Sequence, residues 1–265
     1  MSTFFEKIND LDILLHCDGY EREYFFAECS RLAYKGQKLA SKEFKKVGFT
    51  SYKFCSVEGA QCHIVKNRDY IVIAFRGTEP RQFSDIKADL MAWKRKSRTE
   101  GHVHAGFKNE LDKLWADIKM GLSRKGDRTI FLCGHSLGGA IATVCASRLE
   151  KDVEELYTYG SPRVGGEIFR DNLLVDHCRV VNNNDMVAKV PFWFIGYRHH
   201  GYLTYINHYG NIRSMTSYQR FKDKMRGRWA AIRKLQFFDG IRDHDIKKYC
   251  KKLKRLIKIE PTFGD

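Results

Sequence analysis

Within 21–34, Phe25, Phe26, Cys29, Leu32 and Ala33 fall at i, i+3, i+4 intervals, which puts them on one face of a helix. Residues 52–57 and 62–65 read as strands on either side of a Glu58-Gly59-Ala60 turn. Tyr70–Phe75 (YIVIAF) is a continuous apolar run, the pattern of a strand covered on both faces. Helical spacing returns over Ala105–Leu122 through Phe107, Leu111, Leu114, Ile118 and Leu122. A short apolar strand at 129–133 leads into a second helix over Leu137–Leu149. Further strands are expected at 156–159, 179–182 and Tyr202–Ile206, with a helix near 167–174. Strands alternating with helices of this length predict βαβ units, hence an α/β fold with a mostly parallel central sheet and helices on both faces.

Two more helices are expected near the end of the chain. Tyr218, Phe221, Met225, Trp229, Ile232 and Leu235 repeat at three or four, and Ile246, Tyr249, Cys250, Leu253, Leu256 and Ile257 do much the same. Lys and Arg surround both stripes. Residues 211–258 hold 16 basic residues against four Asp and no Glu, so most of the net charge of +15 is regional. A solvated charged face on a core-packed helix is one reading. The other is an interfacial helix over 218–235. Phe221, Met225 and Trp229 would dip into lipid while Arg220, Lys222, Lys224, Arg226 and Arg228 meet anionic head groups. Nucleic acid ranks below both, because no binding motif accompanies the charge.

A length of 265 residues fits one large domain, 1–265, with 211–258 as its basic helical region. Hydrophobic residues at 43% and aromatics at 13% exclude a charged disordered chain. Glu6, Lys7, Asp10 and Asp12 interrupt any secretory apolar stretch at the start, and no run reaches the ~18 apolar residues of a membrane span. None of the eight cysteines forms C-x-x-C. Reduced thiols are therefore expected, in a protein that is intracellular and either soluble or peripheral to a membrane.

Gly134-His135-Ser136-Leu137-Gly138 matches G-x-S-x-G between an apolar strand and a helix. With 21 Gly and 13 Ser in the chain, chance supplies roughly 0.08 such matches, and the strand-to-helix setting lowers that further. The chemistry explains the spacing. Ser136 must perch on a tight turn with its hydroxyl exposed, while Gly134 and Gly138 let neighbouring backbone pass close. The helix that follows offers free N–H groups and a positive dipole end to a developing oxyanion.

The stretch G-H-S-L-G-G-A (134–140) resembles the nucleophile elbow of class 3, or fungal-type, lipases of the α/β-hydrolase fold. Other landmarks of that family follow in its order. Ile73-Ala74-Phe75-Arg76-Gly77-Thr78 is similar to its oxyanion strand and loop, and 85–90 (DIKADL) to the segment closing its lid. Val103-His104-Ala105-Gly106-Phe107 is similar to its turn into a helix. Tyr159-Gly160-Ser161-Pro162-Arg163-Val164-Gly165 and the run from Asn184-Asp185 to Pro191 complete the set, and the likeness covers about 20–250.

A serine hydroxyl needs an adjacent base oriented by a carboxylate, and α/β-hydrolases place them in the order Ser, acid, His. Acids after Ser136 include Asp152, Glu154, Glu155, Glu167, Asp171, Asp176 and Asp185. Asp185 directly follows an apolar strand, where catalytic groups gather in such sheets. Asp176, before that strand, is the alternative. Downstream histidines are His177, His199, His200, His208 and His244. The resemblance selects His244, because Asp243-His244-Asp245-Ile246 with Tyr249 is similar to the family's D-H-x-[MI]-x-x-Y, and it assigns His199 to a non-catalytic H-x-G position. His102 and His104 lack a third ligand at a convincing spacing, so no metal is expected, and no cofactor is implied.

Two N–H donors complete such a site. Leu137, following the nucleophile, supplies one in this fold. The resemblance implies that Thr78 supplies the other, with its hydroxyl held by Asp89. Glu79, Pro80, Arg81, Gln82, Phe83 and Ser84 would form the lid, which offers little apolar surface beyond Phe83 and the following Ile86. These residues together imply a serine carboxylester hydrolase of lipase or phospholipase type, with a lipid ester as substrate and an anionic membrane surface as partner. An acyltransferase or thioesterase would use the same residues. A non-catalytic module docking through its basic region is the competing class. Oligomeric state leaves no signature in the chain.

Overall fold

The computed structural model describes residues 4–6, 8, 11, 20–77, 94–233 and 242–257, without the side chains of 228–233. Helices α1 (Tyr20–Leu32) and α2 (Gln37–Lys46) precede strands β1 (Ser51–Val57), β2 (Ala60–Lys66) and β3 (Tyr70–Phe75). A two-stranded ribbon follows, β4 (Lys94–Lys96) and β5 (His102–His104), leading into α3 (Ala105–Leu122). Then come β6 (Thr129–His135), α4 (Leu137–Leu149), β7 (Val153–Tyr159), α5 (Glu167–Asp171), β8 (Asp176–Asn182) and β9 (Tyr202–Ile206). Helices α6 (Ser217–Arg233) and α7 (Ile246–Leu256) are the last described elements.

Seven strands form one sheet in the order β1-β2-β3-β6-β7-β8-β9. Its first two pairings are antiparallel and the rest parallel. The antiparallel edge begins at the Glu58-Gly59 turn, where both residues take positive φ, 47° and 86°. Such a turn matches the twist of a tight hairpin. The parallel part is the α/β architecture that the strand–helix alternation predicts.

Every residue of β3 is buried, and the period of two splits its side chains between two cores. Tyr70, Val72 and Ala74 join the core beneath α1, α2 and α7, with Phe25, Phe26, Phe44 and Leu253. Ile71, Ile73 and Phe75 join the opposite core beneath α3 and α4, with Leu111, Leu114, Ile118 and Ile141. Helices therefore cover both faces.

The structure differs from the sequence reading at a few places. Helix α2 was not expected, because it buries only the pair Ala40 and Phe44 as apolar contacts, too few to print a period. Strand β8 starts at Asp176 rather than 179, its register with β7 extending through Glu155. Helix α5 stops at Asp171, where the Asn172 side-chain amide donates to the Ile168 carbonyl at 2.9 Å. Among the described residues, no helix is long and apolar enough to cross a membrane, and seven cysteines are free and buried.

Candidate active site

Ser136 stands between β6 and α4 with φ 59° and ψ −131°, a conformation rarely tolerated by a side chain larger than hydrogen. The surroundings over-determine it. The Ser136 N–H donates to the Tyr159 carbonyl at 3.0 Å, and its own carbonyl accepts from the N–H groups of Gly139 and Ala140. A Cβ on Gly134 would strike the Gly138 carbonyl, and one on Gly138 would strike the Phe75 carbonyl. The two glycines of the motif are thus the points where the turn presses on itself and on the end of β3.

His244 lies in the turn before α7, whose first N–H groups are capped by Asp245, the carboxylate accepting from the Lys247 N–H at 3.0 Å. Its Nε2 is 2.8 Å from Ser136 Oγ. Its Nδ1 is 3.0 and 2.9 Å from the two oxygens of Asp185. All three residues are buried, Asp185 completely. The structure thus brings together the three residues named from the sequence, 49 and 59 positions apart along the chain, in one hydrogen-bonded line.

The carboxylate of Asp185 is held by more than His244. Oδ1 accepts the Val187 N–H at 2.9 Å, and Oδ2 accepts the Tyr249 hydroxyl at 2.5 Å. The same hydroxyl accepts the Asn182 N–H at 3.1 Å. Burial and the adjacent Asp185 carboxylate hold the Tyr249 phenol far above its ordinary range, so it remains a donor. Next to this line, His135 Nε2–H donates to the His244 carbonyl at 2.6 Å while its Nδ1 accepts the Tyr34 hydroxyl at 2.8 Å. Burial, and secondly the neighbouring His244, push His135 well below the usual imidazole range and keep it neutral. The Asn182 amide donates to the Asp243 carbonyl at 2.8 Å, fixing the residue before His244.

These supports were missed by the sequence reading. His135 and Tyr249 stood in quoted motifs without a role. Tyr34 and Asn182 carried no signal, because their partners come from elements distant in the chain.

The rejected candidates lie elsewhere. Asp176 is exposed at the start of β8, the end opposite Asn182 and Asp185. His177 accepts the Thr158 hydroxyl and stacks on His200 at 5.3 Å, and His199 donates to the Ala188 carbonyl at 2.8 Å. His104 caps α3 by accepting the Gly106 N–H at 3.1 Å. Leu137 is the first residue of α4, so its N–H belongs to the group without an intrahelical partner. Thr78, Asp89 and the lid residues Glu79, Pro80, Arg81, Gln82, Phe83 and Ser84 lie outside the described residues.

On α6, Phe221 is 60% exposed, Lys222 and Arg226 are exposed, and Met225 is half-buried. Arg220 does not reach outward as expected. Its guanidinium donates to the Met215 carbonyl at 2.6 Å and the Ser217 hydroxyl at 3.0 Å. Lys224 is half-buried, and burial followed by the nearby charges of Lys189 and Arg220 lowers it to about 8. The side chains of Arg228 and Trp229 lie outside the described residues.

A parallel sheet with a strained serine at a strand-to-helix turn, and an acid and a histidine following it in chain order, defines the α/β-hydrolase fold. Comparison narrows the class. The Lipase (class 3) family model matches residues 72–195 of this chain. The chain is 42% identical over 106 residues to secreted mono- and diacylglycerol lipase 1 of Fusarium solani, covering 37% of this chain and 32% of that protein. It is 29% identical over 180 residues to Toxin TseL of Vibrio cholerae, covering 50% and 28%. The chain thus spans about a third of the length of these curated relatives. Among solved structures, lipase II from Rhizopus niveus superposes with a TM-score of 0.61 at 22% identity, covering 70% of this chain and 80% of that one. The lipase from Rhizopus microsporus var. chinensis gives 0.58 at 25%, covering 70% and 74%.

Proposed function

We propose that this protein is a serine carboxylester hydrolase acting on lipid esters, with Ser136 as nucleophile, His244 as base and Asp185 as orienting acid. The observation that carries the reading is the continuous line from Ser136 Oγ through His244 to the buried Asp185 carboxylate. Ser136 Oγ attacks the ester carbonyl while His244 Nε2 takes its proton, and Asp185 holds the ring and stabilises the imidazolium. The Leu137 N–H and the Thr78 N–H bind the oxyanion. The proton on His244 then passes to the departing alcohol, leaving an acyl-Ser136 ester that water, deprotonated by His244, hydrolyses.

The class 3 lipase relatives support lipid esters as the substrate class, and one of them is named for mono- and diacylglycerols. The single seven-stranded sheet supports reading 1–265 as one domain, and the exposure of Phe221, Lys222 and Arg226 supports a basic region, 211–258, that meets an anionic membrane through α6. The test is covalent labelling by a fluorophosphonate probe together with turnover of a soluble short-chain ester. Ser136→Ala abolishes labelling and lowers turnover on the order of 10⁴-fold or more. Failure of the parent chain both to label and to turn over ester defeats the proposal.

A further inference from the structure

We infer that residues 192–195, in the loop that follows Asp185, are an interfacial anchor that inserts Trp193 and Phe194 into an anionic phospholipid surface. The purpose of the anchor rests on the lipid-hydrolase reading above. Its geometry does not.

Four consecutive apolar residues, Phe192, Trp193, Phe194 and Ile195, stand exposed, with Trp193 at 64% and Phe194 at 65%. Burying aromatic side chains is favourable, so leaving a contiguous run of them in water needs a reason. They are not loosely held. The Gly196 N–H donates to the Trp193 carbonyl at 3.0 Å and the Ile195 N–H to the Phe192 carbonyl at 3.3 Å, closing a single turn. Gly196 ends that turn at φ +83°, a conformation that favours glycine. The rings of Phe192 and Phe194 stack at 5.1 Å, and Trp193 meets Phe194 edge-on at 6.2 Å.

Two carbonyls of the turn are already paired with cations. Lys94 Nζ donates to the Ile195 carbonyl at 2.9 Å, and Arg198 Nη1 donates to the Trp193 carbonyl at 2.8 Å. Carbonyls that would lose their water on insertion therefore already have charged donors. The same two cations stand at the base of the tip, where the head groups of a bilayer would lie, with exposed Arg95 and Lys96 beside Lys94. Aromatic tips above a basic collar suit the boundary between acyl chains and anionic head groups.

The collar extends toward the candidate active site. Arg198 lies close enough to Arg163 to act on its charge, and Arg163, Lys189 and Arg220 all act on Lys224. Asp223 is the acid facing Lys224, and it is already engaged by the Tyr205 hydroxyl at 3.0 Å and the His208 N–H at 2.9 Å. The loop leaves the C-terminal end of β8 just past Asp185, and Ser136 follows the C-terminal end of the parallel strand β6. Insertion here turns the C-terminal ends of the parallel strands, where Ser136 lies, toward the lipid surface.

The experiment is co-sedimentation of the full chain with phosphatidylcholine vesicles, with and without phosphatidylserine, for the parent, Trp193→Ala/Phe194→Ala and Trp193→Phe. Short-chain ester turnover is measured alongside. The double variant should bind anionic vesicles on the order of tenfold more weakly, with soluble-ester turnover unchanged. Trp193→Phe should still bind, but lose the part of the tryptophan fluorescence that brominated lipid quenches in the parent. Equal binding by the parent and the double variant overturns the anchor, as does brominated-lipid quenching that is undiminished in Trp193→Phe. Self-association dispersed by the double variant, with no change in vesicle binding, also overturns it and assigns the patch to a second copy of the chain. Vesicle binding lost in the double variant while the parent fails to label separates a sound anchor from a failed hydrolase reading, and the converse separates the two the other way.

Discussion

Helices α6 and α7 look alike in the sequence, and the fold uses them in opposite ways. Both repeat apolar residues at three or four and both carry Lys and Arg around the remainder. Helix α7 turns its stripe inward. Ile246, Tyr249, Cys250 and Leu253 are buried in the core shared with α1, and Tyr249 reaches the Asp185 carboxylate. The described contacts of α6 are polar. Among the described side chains of 217–227, Asp223 and Gly227 are the buried residues, Asp223 accepts from Tyr205 and His208, and the Lys224 carbonyl accepts the Asn184 amide at 2.9 Å. At about 100° per residue, Phe221 lies on the far side of the helix from Asp223. The difference was written in stripe width. Helix α7 has adjacent pairs, 246 with 249–250 and then 253, enough for a broad apolar face. Helix α6 has single residues at each turn, with a small Gly and a short Asp four apart on the opposite side. A narrow stripe gives too little area to hold a helix down. Over the described turns of α6, a buried carboxylate with two donors does the holding instead.

The comparison is broken most directly by truncating each interface. Leu253→Ala on α7 removes a fully buried side chain and should cost about 2–5 kcal/mol, read as a shift in urea midpoint at constant m. Asp223→Ala on α6 leaves the His208 N–H without its acceptor and the Tyr205 hydroxyl with only the 3.4 Å contact to Asn183 Oδ1, and should cost about 1–3 kcal/mol. Equal costs from Leu253 and Phe221 truncations would show that both helices dock by apolar area, and the contrast would fail. Tyr249→Phe separates packing from positioning. It keeps the ring in the core and removes only the hydroxyl that ties Asp185 to Asn182. Ester turnover should fall by about tenfold through kcat, because a misplaced carboxylate orients the imidazole poorly. A fall in KM alone, or none in kcat, would leave Tyr249 a core residue only.

The same contrast explains what the sequence made legible. Elements with continuous or broad apolar patterns, β3, α3, α4 and β9, start and stop where the pattern does, because burial decides both their existence and their bounds. Helix α2 carries only Ala40 and Phe44 into the core, so no period announced it. At the site, Ser136 was legible because strain demands glycines at fixed positions. Asp185 was legible by its place after a strand, while His244 needed the family motif to separate it from four other histidines. The supporting shell was not legible. Tyr34 meets His135 from 101 positions away and Tyr249 meets Asp185 across 64, and no local pattern encodes contacts that the sheet topology creates.

Lys224 tests the polar seat of α6 by pH. Burial and the charges of Lys189 and Arg220 lower it from its ordinary 10.5 to about 8. Below pH 8 it is charged in both the folded and the unfolded chain, so the cost of holding that charge in the fold is fully present. Between about 8 and 10.5 the folded chain binds fewer protons than the unfolded one, so stability rises with pH. Lys224→Met removes that cost at neutral pH. Since the residue is only half-buried, solvent screening reduces the effect to about 1 kcal/mol. The gain of Lys224→Met over the parent should shrink across pH 8–10.5, and a gain independent of pH would mean that packing, not charge, accounts for it.

The smallest effect is the most diagnostic of what the outer stripe is for. Phe221 is largely exposed and makes no contact in either described core, so Phe221→Ser should leave the urea midpoint within about 0.5 kcal/mol of the parent. A side chain that contributes nothing to folding and yet sits among exposed Lys222 and Arg226 has its use outside the fold. Phe221→Ser should therefore weaken sedimentation with anionic vesicles by a few-fold at most, about what one exposed ring entering the boundary of the bilayer contributes. The effect should diminish with added salt, since screening weakens the basic flank that brings the helix to the surface. Unchanged binding would confine lipid contact to the loop at 192–195 and leave α6 as a basic helix seated on the protein by its polar face alone.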